Sequence, residues 1–229
     1  MEPLRRPSRS NALVDAARQI QSFEGDSLTG RLARLETLFR KANRERAAKL
    51  STSQDIGPGL LRAALELKNL AGQINVLIHA AGILTALPSI LEDREVIQSL
   101  SLGAGNTGRP FDLETNRRVA EFKFIRWRGG PESIRQNSLF KDFYYLAEAT
   151  IRKARFLYML ELERPLKFLK GGRDLTSVMS RDNALLEDFR QRYGTRFRTV
   201  REYYAYRRGR VQLVDLSPIL PALNFEGTE

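Results

Sequence analysis

Residues 110–125, Pro-Phe-Asp-Leu-Glu-Thr-Asn-Arg-Arg-Val-Ala-Glu-Phe-Lys-Phe-Ile, alternate in a way that leaves few local folds open. The spacing predicts two short strands around a two-residue turn at Asn116-Arg117. Pairing is then symmetric about the turn, which sets Asp112 opposite Glu121 and Phe111 opposite Phe122. Side chains alternate between faces. One face therefore carries Phe111, Leu113, Ala120, Phe122 and Phe124, a core surface. The other carries Asp112, Glu114, Glu121 and Lys123.

Two carboxylates at cross-strand distance destabilise a hairpin. At about 4 Å and an effective dielectric of about 20 the repulsion is on the order of 4 kcal/mol. A positive group between them relieves it. A divalent cation is the natural candidate, because magnesium prefers carboxylate oxygens and its own waters. The ammonium of Lys123, on the same face, is a second source of positive charge. The plain alternative is a solvated polar face on an edge hairpin.

Composition narrows the chemistry. The chain has no cysteine, which excludes thiolate nucleophiles, disulfides and Cys-based zinc sites together. A single histidine, His79, excludes His-rich metal sites. His79 sits in an apolar run, Val-Leu-Ile-His-Ala-Ala-Gly-Ile-Leu, and reads as a packed helix residue. Carboxylates and lysine are left for any catalysis. A net charge of +11 points to a polyanionic partner, either nucleic acid or an anionic surface. The apolar run at residues 76–91 is short for a bilayer and holds His79, Gly82 and Pro88, so it reads as a buried helix ending near Pro88. The first residues lack an apolar leader, and the expected setting is cytoplasmic.

Ser10 is placed to cap a first helix, and Leu28, Leu32, Leu35, Phe39 and Ala42 mark a second whose far end, residues 40–46, is basic. Residues 51–59 form the best linker. The expected organisation is an N-terminal helical extension over 1–55 and a main domain over 56–229. Residues 60–70 read as a helix and 95–102 as a strand. The match to GxGxxG at residues 103–108 precedes a strand instead of a helix, so the dinucleotide reading is rejected and the glycines read as a turn. Residues 133–153 read as a helix packed through Ile134, Leu139, Phe143, Leu146 and Ile151, and residues 155–162 as an apolar strand. Residues 180–193 read as a helix. The arginines and tyrosines of residues 196–210 fit either phosphate contacts with base stacking or a helix with a tyrosine core face and a solvated arginine face.

Asp at one strand and Glu-x-Lys on the next, within the order helix, three strands, helix, strand, resembles the PD-(D/E)XK nuclease superfamily over residues 57–162. The resemblance implies an α/β restriction-endonuclease-like core, with a mixed central sheet flanked by helices. It implies an Mg²⁺-dependent (or Mn²⁺-dependent) nuclease, an endonuclease that acts on DNA in preference to RNA. By the same resemblance Asp112 and Glu121 ligate the metal with the backbone carbonyl of Phe122, and Lys123 orients water or neutralises the transition state. Gln136 on the following helix is a partial match, being followed four residues on by Phe140 where some branches have tyrosine. Glu66 is the positional match for a further metal carboxylate; it reads equally as a surface residue paired with Lys68. Arg126, Arg128, Arg135 and Lys141 are the expected nucleic-acid contacts. No membrane partner is expected, and the N-terminal helices offer a surface for a homodimer. The competing classes are a non-catalytic basic nucleic-acid-binding protein and a helical partner-binding protein.

Overall fold

The computed structural model describes residues 9–103, 110–124, 126–127 and 132–224. The chain divides into two compact units, Met1–Asn75 and Val76–Glu229. The first holds α1 (Arg9–Glu24), α2 (Leu28–Phe39), α3 (Arg44–Ser53) and the start of α4 (Pro58–Ile90). Ser27 and Asn43 cap α2 and α3, each accepting a backbone N–H three residues on. The basic end foreseen for the second helix is thus divided: α2 stops at Phe39, Lys41 takes a positive φ of 62°, and Asn43 begins a new helix.

Two helices were expected between residues 60 and 88, and they are one. α4 runs for 33 residues. Gly72 costs an exposed helix only about 1 kcal/mol, and Pro88 falls in the last turn, where its missing N–H and ring disturb only the end of the helix. By length and composition α4 could cross a bilayer. Its C-terminal turns bury Ile83, Ala86, Leu87 and Ile90 in the core of the second unit, while Ile74, Val76, Leu77 and Leu84 are exposed.

The second unit is α/β, a mixed five-stranded sheet flanked by helices. Its strands lie in sequence order: β1 (Ile97–Leu100), β2 (Leu113–Thr115), β3 (Arg118–Lys123), β4 (Ala154–Met159) and β5 (Gln212–Asp215). The first three form an antiparallel meander, and β4 and β5 then add in parallel. α5 (Glu132–Glu148) makes the crossover from β3 to β4. α6 (Glu163–Leu169), α7 (Leu175–Met179), α8 (Asn183–Tyr193), α9 (Val200–Arg207) and a 3-10 turn at Arg208–Arg210 lead to β5. α8 matches the helix expected over 180–193, and α9 lies within residues 196–210, for which a helix was one of the two readings; α6, α7 and the final strand were not foreseen.

The hairpin has the expected register, with Leu113 facing Ala120 and Glu114 facing Val119. Its turn is held from several sides. Thr115 Oγ1 accepts the N–H groups of Arg117 (3.0 Å) and Arg118 (2.9 Å) and donates to Glu95 (2.5 Å). Asn116 locks onto β1's approach through both backbone and side chain at Val96. Arg118 is 4% exposed, fully engaged by Glu95 at 2.6 Å, Tyr158 Oη at 3.0 Å and the Phe156 ring.

β3 lies between β2 and β4, so both its backbone edges are paired, and a separate apolar cluster packs on each of its faces. Leu113, Ala120, Phe122 and Phe124 pack with Ile83, Tyr158 and Leu216. Val119 faces the other way, with Phe140 and Phe143 of α5, Leu157 and Tyr203. Phe111 departs from expectation and packs on the Val119 side, because β2 begins only at Leu113 and strict alternation fails before it. Ile134, expected in the α5 interface, is 55% exposed, and Ile151 lies beyond the end of the helix.

α4 meets the sheet closely at Gly82, where an added Cβ would stand 2.8 Å from the Phe124 ring. Gly82→Ala is expected to destabilise the fold by about 1–3 kcal/mol despite the better helix propensity of alanine, because the ring must leave its packed position. Urea unfolding of the two proteins measures this; an unchanged or higher midpoint would contradict the contact.

Candidate active site

The alternation that places Phe122 in one core points Glu121 and Lys123 into the other side of the sheet, beneath α5. This face is closed. Asp142 of α5 meets Lys123 there in an ion pair whose side chains are 14% and 32% exposed. Asp112, one residue before β2, reaches across the hairpin: its Oδ2 accepts the N–H of Phe122 at 3.0 Å, and its Oδ1 stands 3.4 Å from His79 Nε2 on α4. Asp112 and Glu121 also share a side-chain hydrogen bond, which requires a proton on one of them. Five titratable residues from three elements and one connecting segment thus form a single chain: His79, Asp112, Glu121, Lys123 and Asp142.

Their electrostatics are divided. Burial pushes the Glu121 carboxyl up, and the negative charges of Asp142 and Asp112 push it further, to about 9; Lys123 only partly opposes them. Asp112 goes the other way. Burial would raise it, but the His79 imidazole and the Phe122 N–H hold its carboxylate below the ordinary value. Burial raises Asp142 in spite of Lys123. Lys123 is held charged above its ordinary range, the pull of Asp142 and Glu121 outweighing its own burial. In consequence Asp112 is the ionised carboxylate of its pair and Glu121 carries the proton.

Asp142 and the contact of His79 with Asp112 were missed from sequence. A signal for the first was present: Asp142 lies three residues after Leu139 and four before Leu146, on the stripe that α5 buries. A carboxylate on a core-facing stripe calls for a partner. His79 does pack, edge-on to Phe124 at 5.8 Å, as expected of a buried helix residue. Its polar edge nonetheless faces Asp112.

The other expected site residues have the following surroundings. Glu114 pairs with Lys153 at 2.7 Å. Gln136 accepts a hydrogen bond from Arg173. Glu66 belongs to the first unit, where it lines a cavity of about 280 Å³ with Ala12, Leu13, Asn69, Leu70 and Gln73. Lys141 is exposed but bound to Asp182 at 2.7 Å. Arg126 is half-buried near Asp215, and Arg135 is half-buried in the first turn of α5. Arg128 and residues 104–109 of the glycine turn lie outside the described residues.

Among the described residues no three His, Asp or Glu side chains make a ready ligand cluster for a metal ion. The expected set needs only two side chains, since its third donor is a backbone carbonyl. Phe122 turns its N–H toward Asp112, and a strand residue directs its carbonyl to the same neighbour. Two carboxylates bridged by a proton and crowded by a third are a donor set that a divalent cation suits, because the cation can replace the proton and let both ionise. Comparison with family models, with curated proteins and with solved structures finds no match to this chain.

Proposed function

We propose that the protein is a metal-dependent nuclease that hydrolyses phosphodiester bonds of nucleic acid, DNA before RNA, on a restriction-endonuclease-like core. The observation that carries this reading is the meeting of Asp112, Glu121 and Lys123 at one end of β3, with Glu121 held protonated by burial and two neighbouring carboxylates. The element order from α4 to β4 supports it. Mg²⁺ or Mn²⁺, held by Asp112, Glu121 and the Phe122 carbonyl, supplies a Lewis acid for the scissile phosphate and lowers the pKa of water.

Within the chain's own residues the division of labour is concrete. Asp112 is ionised and fixed by the Phe122 N–H, so it offers a ready oxygen. Glu121 must give up its proton to bind the cation, which makes assembly of the site more favourable as pH rises toward 9. Lys123 keeps its positive charge in a largely closed setting, where it stabilises developing phosphoryl charge more strongly than it would in water. Asp142 orients Lys123 by pairing with its ammonium.

A second reading has one observation in its favour. Lys123 pairs with Asp142, and Asp112 with His79 and the Phe122 N–H, so the network can also stand as an internal brace in a non-catalytic nucleic-acid-binding protein. Incubation with plasmid, linear and branched DNA and with RNA, with and without Mg²⁺ or Mn²⁺, separates the two. Divalent-dependent cleavage by the parent that is absent from Asp112→Asn is the expected result. Cleavage indifferent to both the metal and Asp112 would overturn the nuclease site.

A further inference from the structure

Eight arginines and one glutamate lie between residues 190 and 210, a net +7 of the chain's +11. The fold sorts them sharply. Arg192 binds Asp188 at 3.0 Å, and Arg207 binds Glu148 at 2.7 Å within a knot that also ties in the hydroxyls of Tyr193 and Tyr203. These two are committed. Glu202, the one acid of the segment, is committed as well: it accepts the backbone N–H groups of Arg198 (2.7 Å) and Thr199 (3.2 Å) in a capping box. Arg198, Arg201, Arg208 and Arg210 are exposed and have no acidic side-chain partner among the described residues.

Geometry gathers them. Val200 and Tyr203 are fully buried and turn one side of α9 into the core. Arg201, Ala205 and Arg208 follow three- and four-residue spacing along the outward side, with Arg198 just before the helix and Arg210 just after it. Arg196 is parked on the Tyr206 ring at 4.5 Å, with Arg207 at 4.6 Å from the same ring. Both guanidiniums near Tyr206 occupy it, so the ring is taken and base stacking is not what this surface offers. A stacked guanidinium still keeps its in-plane N–H groups available for phosphate oxygens.

We propose that the outward side of α9, from Arg198 to Arg210, is a binding surface for the phosphate backbone of a polynucleotide, without sequence readout. Eight helical residues extend about 12 Å, enough to follow about three phosphates of one duplex strand. The chemistry favours a polynucleotide over an anionic bilayer, because a helix that lies on lipid needs an exposed apolar side, and the apolar side of α9 is spent in the core. This surface is separate from the carboxylate and lysine site, and it goes beyond the nuclease reading, since binding there requires neither metal nor cleavage.

Fluorescence anisotropy with a labelled 20-base-pair duplex of arbitrary sequence, in EDTA across a salt series, tests it. The parent is expected to lose affinity steeply with salt. The Arg198→Gln/Arg201→Gln/Arg208→Gln/Arg210→Gln variant should lose about three from the slope of log K against log salt and bind about 10²-fold more weakly at ~0.1 M salt. Arg34→Gln/Arg40→Gln/Lys41→Gln/Arg44→Gln, an equal charge change on exposed residues of the first unit, should retain the parent slope. Arg208→Gln/Arg210→Gln, which leaves the body of α9 intact, should show about half the slope change and guards against misfolding of the larger variant. A flat salt dependence in the parent, or equal losses in both quadruple variants, would overturn the proposal. So would loss of binding to phosphatidylserine vesicles with duplex binding unchanged. Because no divalent cation is present, these results stand whether or not the protein cleaves.

Discussion

Replacing Glu121 by glutamine is expected to stabilise the protein at neutral and alkaline pH and to remove the proposed cleavage activity. The two effects have one origin. Glu121 titrates near 9 in the folded state, against an ordinary 4.5 when the chain is open. Between these values the folded protein holds a proton that the unfolded chain has released. Stability contributed by the group is therefore complete below about pH 4.5 and declines as pH rises toward 9, on the order of 1 kcal/mol per pH unit. Glutamine keeps the shape and the hydrogen bond to Asp112 with nothing to titrate. In urea unfolding with EDTA at pH 5, 7 and 9, the parent should weaken across the series and Glu121→Gln should stay comparatively level. A parent that gains stability over that window would contradict the protonated carboxyl. The same variant lacks the anionic oxygen that the proposed metal requires, and turnover should fall about 10³-fold or more. A residue that weakens the fold while serving the chemistry is what a functional site predicts; a purely bracing residue would lose stability when replaced.

Lys123→Ala is expected to be the most damaging single change to stability in this network. It leaves Asp142 facing Glu121 and Asp112 with no cation, beneath a helix and largely out of water. Removing one partner of a buried pair costs about 3–5 kcal/mol. The Lys123 side chain is 32% exposed, so water enters as a partial substitute and a loss of about 2–3 kcal/mol is the better expectation. The double variant Lys123→Met/Asp142→Leu should regain most of that loss, because two apolar side chains of similar volume need no compensation. Chemical unfolding of the parent, Lys123→Met, Asp142→Leu and the double variant closes the cycle and gives the coupling energy directly. Additive losses would show that the pair does not interact, and Lys123 would then be left free to act as an ordinary surface lysine.

The hairpin was legible because a period of two leaves only one register once the turn is placed, and Asn116-Arg117 between two alternating runs places it. The identity of the covered faces was harder to read. Asp112, Glu121 and Lys123 look like a solvated face in a one-dimensional pattern; only the position of β3 between β2 and β4, and α5 above it, closes that face. Asp142 was hidden for a related reason. Apolar spacing finds the residues that bury a helix, and it passes over a charge standing among them. α4 reads in sequence as two helices, one over residues 60–70 and one ending near Pro88, whereas Gly72 between them costs little in a long helix and Pro88 falls in its final turn. β5 is four residues of modest apolarity and owes its strand conformation to the open side of β4. No local signal announces such a strand. The fate of Arg196–Arg210 could be read only halfway: Tyr203 does enter the core, but Tyr206 remains 44% exposed between two guanidiniums.

The parallel attachment of β5 to β4 sets an order in time. During synthesis β4 emerges long before its outer neighbour, with residues 160–211 still to be made. Throughout that interval its backbone amides and carbonyls, flanked by Phe156, Leu157 and Tyr158, present an open edge of the kind that recruits a second chain. α6 to α9 emerge in the same interval and join the core on the Val119 side of the sheet, while the backbone edge of β4 is the one that β5 pairs. The growing chain is therefore most vulnerable to misassembly after Asp112, Glu121 and Asp142 have been made and before its last strand is, a window in which a chaperone that shields extended apolar segments would have the most to do.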